Sequence, residues 1–345
     1  MTQLGKIIPG IALCFLISVP AWFLGNAFPI IGSPVFGILG GMIFIMLFPE
    51  LLVKERQLTG NGQDLRRVRL EDGVKYTSKK LLQYSIILLG FGMNLFHVVK
   101  VGGQSLYVIM FTLTASFVTA YFVGKFLNLD AKVATLIGVG TSICGGSAIA
   151  ATAPVISARD EDVAHAISTI FLFNILAVFL FPSLGMILGL SDQGFGMWAG
   201  TAINDTSSVV AASFSFSDAA GKYATVVKLT RSLMILPVTL FLAFYHARQN
   251  RSESTFSFVK IFPWFVLGFL AAAVLATTGV VPASAAHTLA QLGKFFITMA
   301  MAAIGLNTSI QAFIKAGPKA LLLGAGTWAA VMISSLAIQL VSGLL

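Results

Sequence analysis

Charged side chains are scarce in this 345-residue chain: only 10% of residues are Asp, Glu, Lys or Arg, whereas 57% are hydrophobic. A water-soluble domain carries about 25% charged residues, so this chain cannot cover a surface that faces water. Apolar runs such as 106–124 and 171–190 are long enough to cross a hydrocarbon core, which takes roughly 20 residues. Backbone groups in lipid must bond to each other, and nothing alternates like a barrel strand. The chain is therefore predicted to be an all-α polytopic membrane protein.

Residues with catalytic or metal-binding chemistry are also few. The two cysteines, Cys14 and Cys144, offer neither a disulfide framework nor zinc spacing. The histidines lie at the ends of predicted spans, so none is placed as a base at mid-depth: they are His97, His165, His246 and His287. We therefore expect no enzyme activity, no cofactor and no metal site.

Eleven apolar segments are predicted to cross the membrane as parts of a single transmembrane domain. They cover residues 7–25, 28–48, 79–99, 105–126, 133–157, 165–190, 196–215, 222–246, 260–281, 284–308 and 318–343. The one sizeable polar segment between them is the loop 49–80. This loop is basic and too small to form a domain of its own.

Lys and Arg residues are distributed unevenly between the two sides, and such residues mark cytoplasmic loops. With the N-terminus inside, sixteen of the twenty-two fall on the cytoplasmic side and only Lys100, Arg159 and Lys222 fall outside. We predict an inner-membrane protein with a cytoplasmic N-terminus, a cytoplasmic 49–80 loop and an outside C-terminus. The net charge of +9 thus orients the chain and does not imply a nucleic-acid partner.

Two internal similarities compete. Residues 140–147 resemble residues 200–207, and separately Thr141-Ser142-Ile143 recurs as Thr308-Ser309-Ile310, five spans later. The second pairing favours inverted five-helix repeats over 28–190 and 196–343, preceded by an extra helix at 7–25. It predicts broken helices near 140–147 and 305–309. The first pairing fits only if 133–157 and 196–215 are re-entrant hairpins, and the sequence leaves that choice open.

The fifth span carries clustered glycines and hydroxyls at its centre. Glycine destabilises a helix by about 1 kcal/mol relative to alanine, and unwound backbone at membrane depth survives where it lines a cavity. Amide groups there favour an anion, although close helix packing is the other interpretation. The candidate ligands in this span are Thr141, Ser142, Cys144, Gly145, Gly146 and Ser147.

The seventh span contains Asp205, the one acidic residue inside a predicted span. A central carboxylate costs about 2.5–3.5 kcal/mol on insertion scales, so it should have a partner or a task. We assign it the coupling role, beside the candidate ligands Asn204, Thr206 and Ser207; a structural ion pair with a nearby base is the alternative.

Three basic residues, Lys228, Arg231 and Lys294, also fall inside spans. Three bases against one acid leave positive charge over, which favours a small oxyanion as substrate. Asn307 at the end of the tenth span completes the predicted site. Asn174, alone in the sixth span, is interpreted as interhelical hydrogen-bond glue.

The segments 140–151 and 200–212 resemble the sulfate exporter family of bacterial inner-membrane proteins, and the likeness extends over essentially the whole chain. That family is grouped with the bile-acid, arsenite and riboflavin transporter superfamily. The resemblance implies inverted five-helix repeats, crossed broken helices and export of sulfate.

The leading hypothesis is a secondary transporter of a small inorganic or organosulfur anion such as sulfate. A cation/proton antiporter that uses Asn204-Asp205 and an anion channel are the alternatives. The expected partners are the small anion and the lipid bilayer; a homo-oligomer stays open.

Overall fold

The computed structural model describes residues 3–28, 32–48, 70–249, 263–308 and 317–344, and its secondary structure over these ranges is entirely helical. The helices are α1 (Gln3–Ala27), α2 (Ser33–Leu47), α3 (Leu70–Tyr76), α4 (Leu82–Gly90), α5 (Leu95–Phe126), α6 (Ala131–Ser142), α7 (Gly146–Thr152), α8 (Asp160–Ile187), α9 (Asp192–Ala202), α10 (Thr206–Phe216), α11 (Asp218–Leu233), α12 (Ile235–Gln249), α13 (Trp264–Thr277), α14 (Ala283–Leu306) and α15 (Pro318–Ser342). A π turn, Thr77–Leu81, joins α3 to α4. The third predicted span therefore begins earlier than expected, and only residues 49–69 of the 49–80 loop lie outside the described residues.

Six helical stretches are long and apolar enough to cross a membrane, so the protein is a multi-pass membrane protein. They are Ile7–Ala27, Leu95–Phe126, Glu161–Ile187, Asp218–Tyr245, Ala283–Leu306 and Pro318–Ser342. Shorter apolar helices cover Ser33–Leu47, Thr206–Phe216 and Trp264–Thr277. The predicted count of eleven crossings is not confirmed, because two predicted spans fold differently.

The fifth predicted span, 133–157, is a re-entrant hairpin rather than a crossing. Its arms are α6 and α7, and we call the pair hairpin 1. The ammonium of Lys132, at the start of α6, donates to the carbonyl of Ser157, beyond the end of α7, at 2.7 Å. Because α6 alone is about 18 Å long, this bond requires α7 to double back. Gly140 permits the close approach: a Cβ there would lie 2.9 Å from Cδ1 of Ile149.

The seventh predicted span, 196–215, is a second re-entrant hairpin, formed by α9 and α10 and called hairpin 2. The hydroxyl of Ser217, after α10, donates to the carboxylate of Asp192, at the start of α9, at 2.6 Å. The rings of Phe195 and Phe216 stack with centroids 4.0 Å apart. These contacts close the base of the hairpin, so its two ends lie together.

Helix α8 sets the directions of the two hairpins. It begins next to the base of hairpin 1, ends next to the base of hairpin 2, and is about 42 Å long over 28 residues. Near its midpoint, Oδ1 of Asn174 accepts the main-chain N–H of Asp205 in hairpin 2 at 3.3 Å. Its Nδ2 lies 3.7 Å from the position of a Cβ built on Gly145 in hairpin 1. The hairpins therefore enter from opposite ends of α8, and their tips meet beside Asn174.

The helix break predicted within 140–147 is present, between Ser142 and Gly146. Another break is predicted near 305–309; α14 ends at Leu306, and because 309–316 lie outside the described residues, this break stays a prediction. A break that was not predicted occurs in hairpin 2, between α9 and α10.

The similarity that the structure matches is therefore the one between 140–147 and 200–207. Both segments form hairpin tips. The sequence favours the pairing with Thr308-Ser309-Ile310 because copies five spans apart run in opposite orientations, whereas copies two spans apart, such as 140–147 and 200–207, should run parallel. Re-entrant hairpins remove that objection, because they can enter from either side.

The helices pack as two groups. Helices α1–α4, α13 and α14 contact one another, and α5–α12 and α15 form the second group, which contains both hairpins. Between the groups, α10 packs on α2 and α14, and α13 contacts α5. Small residues allow these approaches: a Cβ on Gly41 of α2 would lie 2.2 Å from the carbonyl of Ala302 in α14. Hairpin 2 is thus the main surface through which the hairpin group touches the other helices.

Candidate functional site at the hairpin tips

The tips present a partly exposed polar surface. Cys144, Gly146, Asp205 and Thr206 are half-buried, and Ser147 is exposed. All five belong to the predicted site, and the structure brings them together from two segments sixty residues apart. The surface combines a thiol, two hydroxyls, a carboxylate and the main chain of Gly146.

Lys228 of α11 lies behind this surface and is completely buried. Its ammonium donates to the carbonyl of Ile143 at 2.7 Å, to that of Ile203 at 3.1 Å and to that of Asn204. An ammonium has three donors, and main-chain carbonyls take all three. In this conformation no donor of Lys228 is left for a ligand, and its predicted direct contact with a substrate stays a prediction.

Arg231, one turn further along α11, is also completely buried. Its Nε donates to the carbonyl of Ser142 at 2.7 Å, its Nη1 to that of Ile203 at 2.8 Å, and its Nη2 to that of Thr141. A guanidinium has five N–H donors, so two remain. Arg231 thus uses three donors to hold the main chain of the two tips, and two N–H donors remain for a ligand.

These contacts explain how two charges are tolerated in the core. The last carbonyls of a helix have no partner within the helix, and they carry the negative end of its dipole. Helix α6 ends before Ile143 and α9 ends before Ile203, so Lys228 and Arg231 cap both ends with positive charge. No ion pair joins either base to Asp205 among the described residues, so the alternative of a direct structural pair fails.

Asp205 is the N-cap of α10. Its carboxylate accepts the main-chain N–H of Ser208 at 3.3 Å and the hydroxyl of Ser207. Ser207 is therefore a partner of the carboxylate, and its hydroxyl is not free to donate to a ligand. Asp205 as a whole is half-buried.

Asn204, whose main-chain carbonyl accepts from Lys228, is completely buried. Neither polar atom of its carboxamide has a hydrogen-bond partner in the described part of the chain. A buried polar group without a partner costs about 1–3 kcal/mol. Such a group in a native fold calls for an explanation, and a bound ligand or water is one.

Two predicted hydroxyl ligands point away from the tip surface. Oγ1 of Thr141 bonds with Oγ1 of Thr327 in α15, 3.2 Å away, and the hydroxyl of Ser142 donates to the carbonyl of Val139. Both residues are buried. They serve the site through their carbonyls, which Arg231 binds, and not through their hydroxyls as predicted.

Two further predicted ligands lie elsewhere. Lys294 of α14 pairs with Asp218, at the base of hairpin 2, at 2.6 Å. Asn307 is exposed at the C-terminal end of α14. Neither is part of the tip surface, because depth along a helix does not reveal which neighbour the side chain faces.

Two cavities also lie away from the tips. One of about 360 Å³ separates α1, α2 and α14 from hairpin 2, and Lys294 and Asp218 line it. Another of about 500 Å³ lies at the base of hairpin 1, lined by Asp130, Arg159 and Lys319 among others. The tips are therefore distinguished by their polar groups and partial exposure rather than by cavity size.

Asn174, predicted to be interhelical hydrogen-bond glue, does join α8 to hairpin 2, because its Oδ1 accepts the main-chain N–H of Asp205. The sequence does not indicate that Asn174 also lies beside Gly145 of hairpin 1. Its place at the middle of α8 becomes informative only when the hairpins start at the two ends of α8.

Comparisons with known proteins agree with a membrane location. A family model described as Conserved hypothetical protein 698 matches residues 9–324. A UPF0324 membrane protein of Streptococcus pyogenes serotype M18 is 49% identical over 353 aligned residues, which cover 99% of each chain. One of Streptococcus pneumoniae strain R6 is 46% identical over 100% of each chain, and one of Fusobacterium nucleatum is 44% identical over 97% of this chain and 98% of its own. No solved structure gives a significant match. The chain belongs to the UPF0324 membrane protein family.

Proposed function

We propose that the protein is a secondary transporter of a small inorganic or organosulfur anion. Export or exchange of sulfate, coupled to an ion gradient, is the leading case. One observation carries the proposal: the tips of two oppositely directed hairpins meet in front of two buried cations, Lys228 and Arg231, and leave a partly exposed polar surface.

The charges at the tips favour an anion. The carbonyl ends of α6 and α9 offset roughly one of the two positive charges, and the amino-terminal ends of α7 and α10 return roughly the same amount. Asp205, when ionised, offsets another charge. The surplus is then about +1, and it rises to about +2 when Asp205 takes up a proton. Protonation of Asp205 would thus match the site to a dianion, which is how a proton could couple to sulfate.

The hairpins also suggest how access could alternate. They enter from opposite ends of α8, and they belong to a helix group that touches the rest mainly through α10. Movement of this group against α2 and α14 would carry the tips between the two sides. The inverted repeats over 28–190 and 196–343 stay a separate prediction, because those boundaries do not pair the two hairpins with each other.

The test is counterflow of radiolabelled sulfate in proteoliposomes that contain the purified protein. We expect uptake against unlabelled internal sulfate, competition by sulfite or thiosulfate, and loss of flux in the double variant Ser147→Ala, Thr206→Val. Thr288→Val, an exposed position at the start of α14, is the matched control and should transport like the parent. Absence of both counterflow and a sulfate-dependent shift in melting temperature would refute the proposal, and voltage-driven flux without counterflow would favour a channel.

A cation/proton antiporter is the second candidate. The buried, unpartnered carboxamide of Asn204 adjoins the half-exposed carboxylate of Asp205. Oxygen atoms of this kind are ligands for small hard cations. Sodium-dependent proton movement in the same proteoliposomes, without sulfate flux, would favour this candidate.

A further inference from the structure

A hydrogen-bond donor at the middle of α8, Nδ2 of Asn174, lies next to the proposed site. Asn174 is 4% exposed, and its carboxamide is the point at which α8 meets both hairpin tips. Gly145 has φ +68°, a backbone conformation that favours glycine, and a Cβ built there would lie 3.7 Å from Nδ2 of Asn174.

The orientation of this carboxamide follows from its neighbour. The main-chain N–H of Asp205 can only donate, so the atom of Asn174 that faces it at 3.3 Å must be the oxygen. The nitrogen, Nδ2, then points to the other side of the carboxamide, where Gly145 lies. Nδ2 donates no hydrogen bond to any residue that the structure describes.

Nδ2 is thus a free amide donor that stays accessible to a small ligand, on a side chain that is otherwise buried. Asp205 and Gly145, which flank it, adjoin the half-buried Thr206 and Gly146. The buried charges of Lys228 and Arg231 hold the same two tips from behind. A ligand that fits all of these groups is an oxyanion: it accepts from Nδ2 and is attracted by the surplus positive charge.

We propose that Asn174 is a substrate-binding residue, and that its Nδ2 donates to an oxygen of the transported oxyanion where the two hairpin tips meet. This inference rests on the proposed function and adds to it a third element, α8, that contacts the substrate. It also gives α8 a role beyond packing, because one carboxamide binds the anion and holds the main chain of Asp205, the coupling residue.

The test is Asn174→Asp, measured by sulfate affinity and melting temperature on the full-length protein in detergent. Aspartate keeps an oxygen for the N–H of Asp205 but replaces the donor with a negatively charged acceptor. We expect sulfate affinity to fall at least about tenfold, since a hydrogen bond to a charged ligand is lost and a repulsion is added. Asn94→Asp is the control, because Asn94 is exposed, caps α5 and makes no contact with the tips; its sulfate affinity should match the parent.

A second carboxylate beside Asp205 could destabilise the fold, so the double variant Asn174→Asp, Asp205→Asn is also needed. It restores the parent's total charge and leaves position 174 without a donor. We expect a melting temperature close to the parent and sulfate affinity that stays low. Parental affinity in both variants would overturn the role of Asn174 while the proposed function stands. A parent protein that binds none of sulfate, sulfite and thiosulfate would overturn both.

Discussion

Lys228 and Arg231 share one acceptor, the main-chain carbonyl of Ile203, at 3.1 and 2.8 Å. Each also donates to the tip of hairpin 1. Helix α11 therefore holds the two hairpins together at their tips, between α6 and α7 of hairpin 1 and between α9 and α10 of hairpin 2. The bases were expected to hold the substrate, but in this conformation most of their donors hold the backbone.

Arg231→Ala should destabilise the protein strongly. The change leaves the carbonyls of Thr141 and Ser142 buried without a donor, at about 1–3 kcal/mol for each. We expect a clear loss of melting temperature, measured by intrinsic fluorescence in detergent, together with loss of sulfate transport. Lys222→Ala, exposed on the same helix, is the control and should melt like the parent. A stable Arg231→Ala protein that has lost only sulfate affinity would instead indicate that Arg231 mainly binds the substrate.

Asp205→Asn should keep the fold and remove the coupling. Asparagine is as good an N-cap as aspartate, so it can still accept the N–H of Ser208 at the start of α10. It cannot bind and release a proton. We expect sulfate counterflow to persist and its dependence on a pH gradient to disappear, measured in proteoliposomes with and without an imposed gradient. If the variant still accumulates sulfate in response to the gradient, another group carries the proton.

Much of the site was predictable because its residues are unfavourable inside a membrane-spanning helix. Gly145 and Gly146 weaken a helix, and Asp205 is costly in lipid, so both tips stood out from composition alone. The likeness of the two tips is also present in the sequence, as the similarity between 140–147 and 200–207. The sequence therefore predicts the break at 140–147 and marks Asp205 as a site residue, but it does not predict the break between α9 and α10.

The direction of the chain at each tip was not predictable in the same way. A broken crossing and a re-entrant hairpin have the same glycine pattern; what separates them is the contact of Lys132 with Ser157, and that contact depends on tertiary packing. Likewise Lys294 lies at mid-helix, but its partner Asp218 comes from a neighbouring segment. Side-chain partners across helices cannot be read from spacing within one helix.

Gly145→Ala should damage the tip of hairpin 1, whereas Gly146→Ala should not. Gly145 has φ +68° and ψ −127°, a conformation that costs a residue with a side chain of order 1–3 kcal/mol. Gly146 begins α7, and a Cβ there would meet nothing within 4 Å. We expect a lower melting temperature and slower sulfate counterflow for Gly145→Ala alone. Equal behaviour of the two variants would contradict the tip geometry.

Lys294→Ala should leave sulfate affinity unchanged. Lys294 is 17% exposed, but its partner Asp218 is 66% exposed and lies at the base of hairpin 2, away from the tips. A pair with so exposed a partner contributes less than about 1 kcal/mol. We expect the dissociation constant for sulfate to stay within about twofold of the parent, a range that corresponds to less than about 0.5 kcal/mol. A large loss of affinity would return Lys294 to the binding site.

The re-entrant hairpins make a direct prediction about which residues share a side of the membrane. Lys132 and Ser157 should face one side, and Asp192 and Ser217 the other. In a background with both native cysteines replaced by alanine, single cysteines at these four positions should react with a membrane-impermeant maleimide in those two pairs. Sealed vesicles of the two orientations give the two sides.

Continuous crossings would give the opposite pattern, with positions 132 and 157 labelled from different sides and 192 and 217 likewise. The hairpins also move Arg159 to the side of Lys132, which leaves only Lys100 and Lys222 as basic residues on the side predicted to face outward. Because two crossings are removed, an odd number of predicted spans remains odd and the predicted outside C-terminus is unaffected. Labelling of 132 and 157 from opposite sides would therefore refute hairpin 1 itself, and with it the meeting of the two tips beside Asn174.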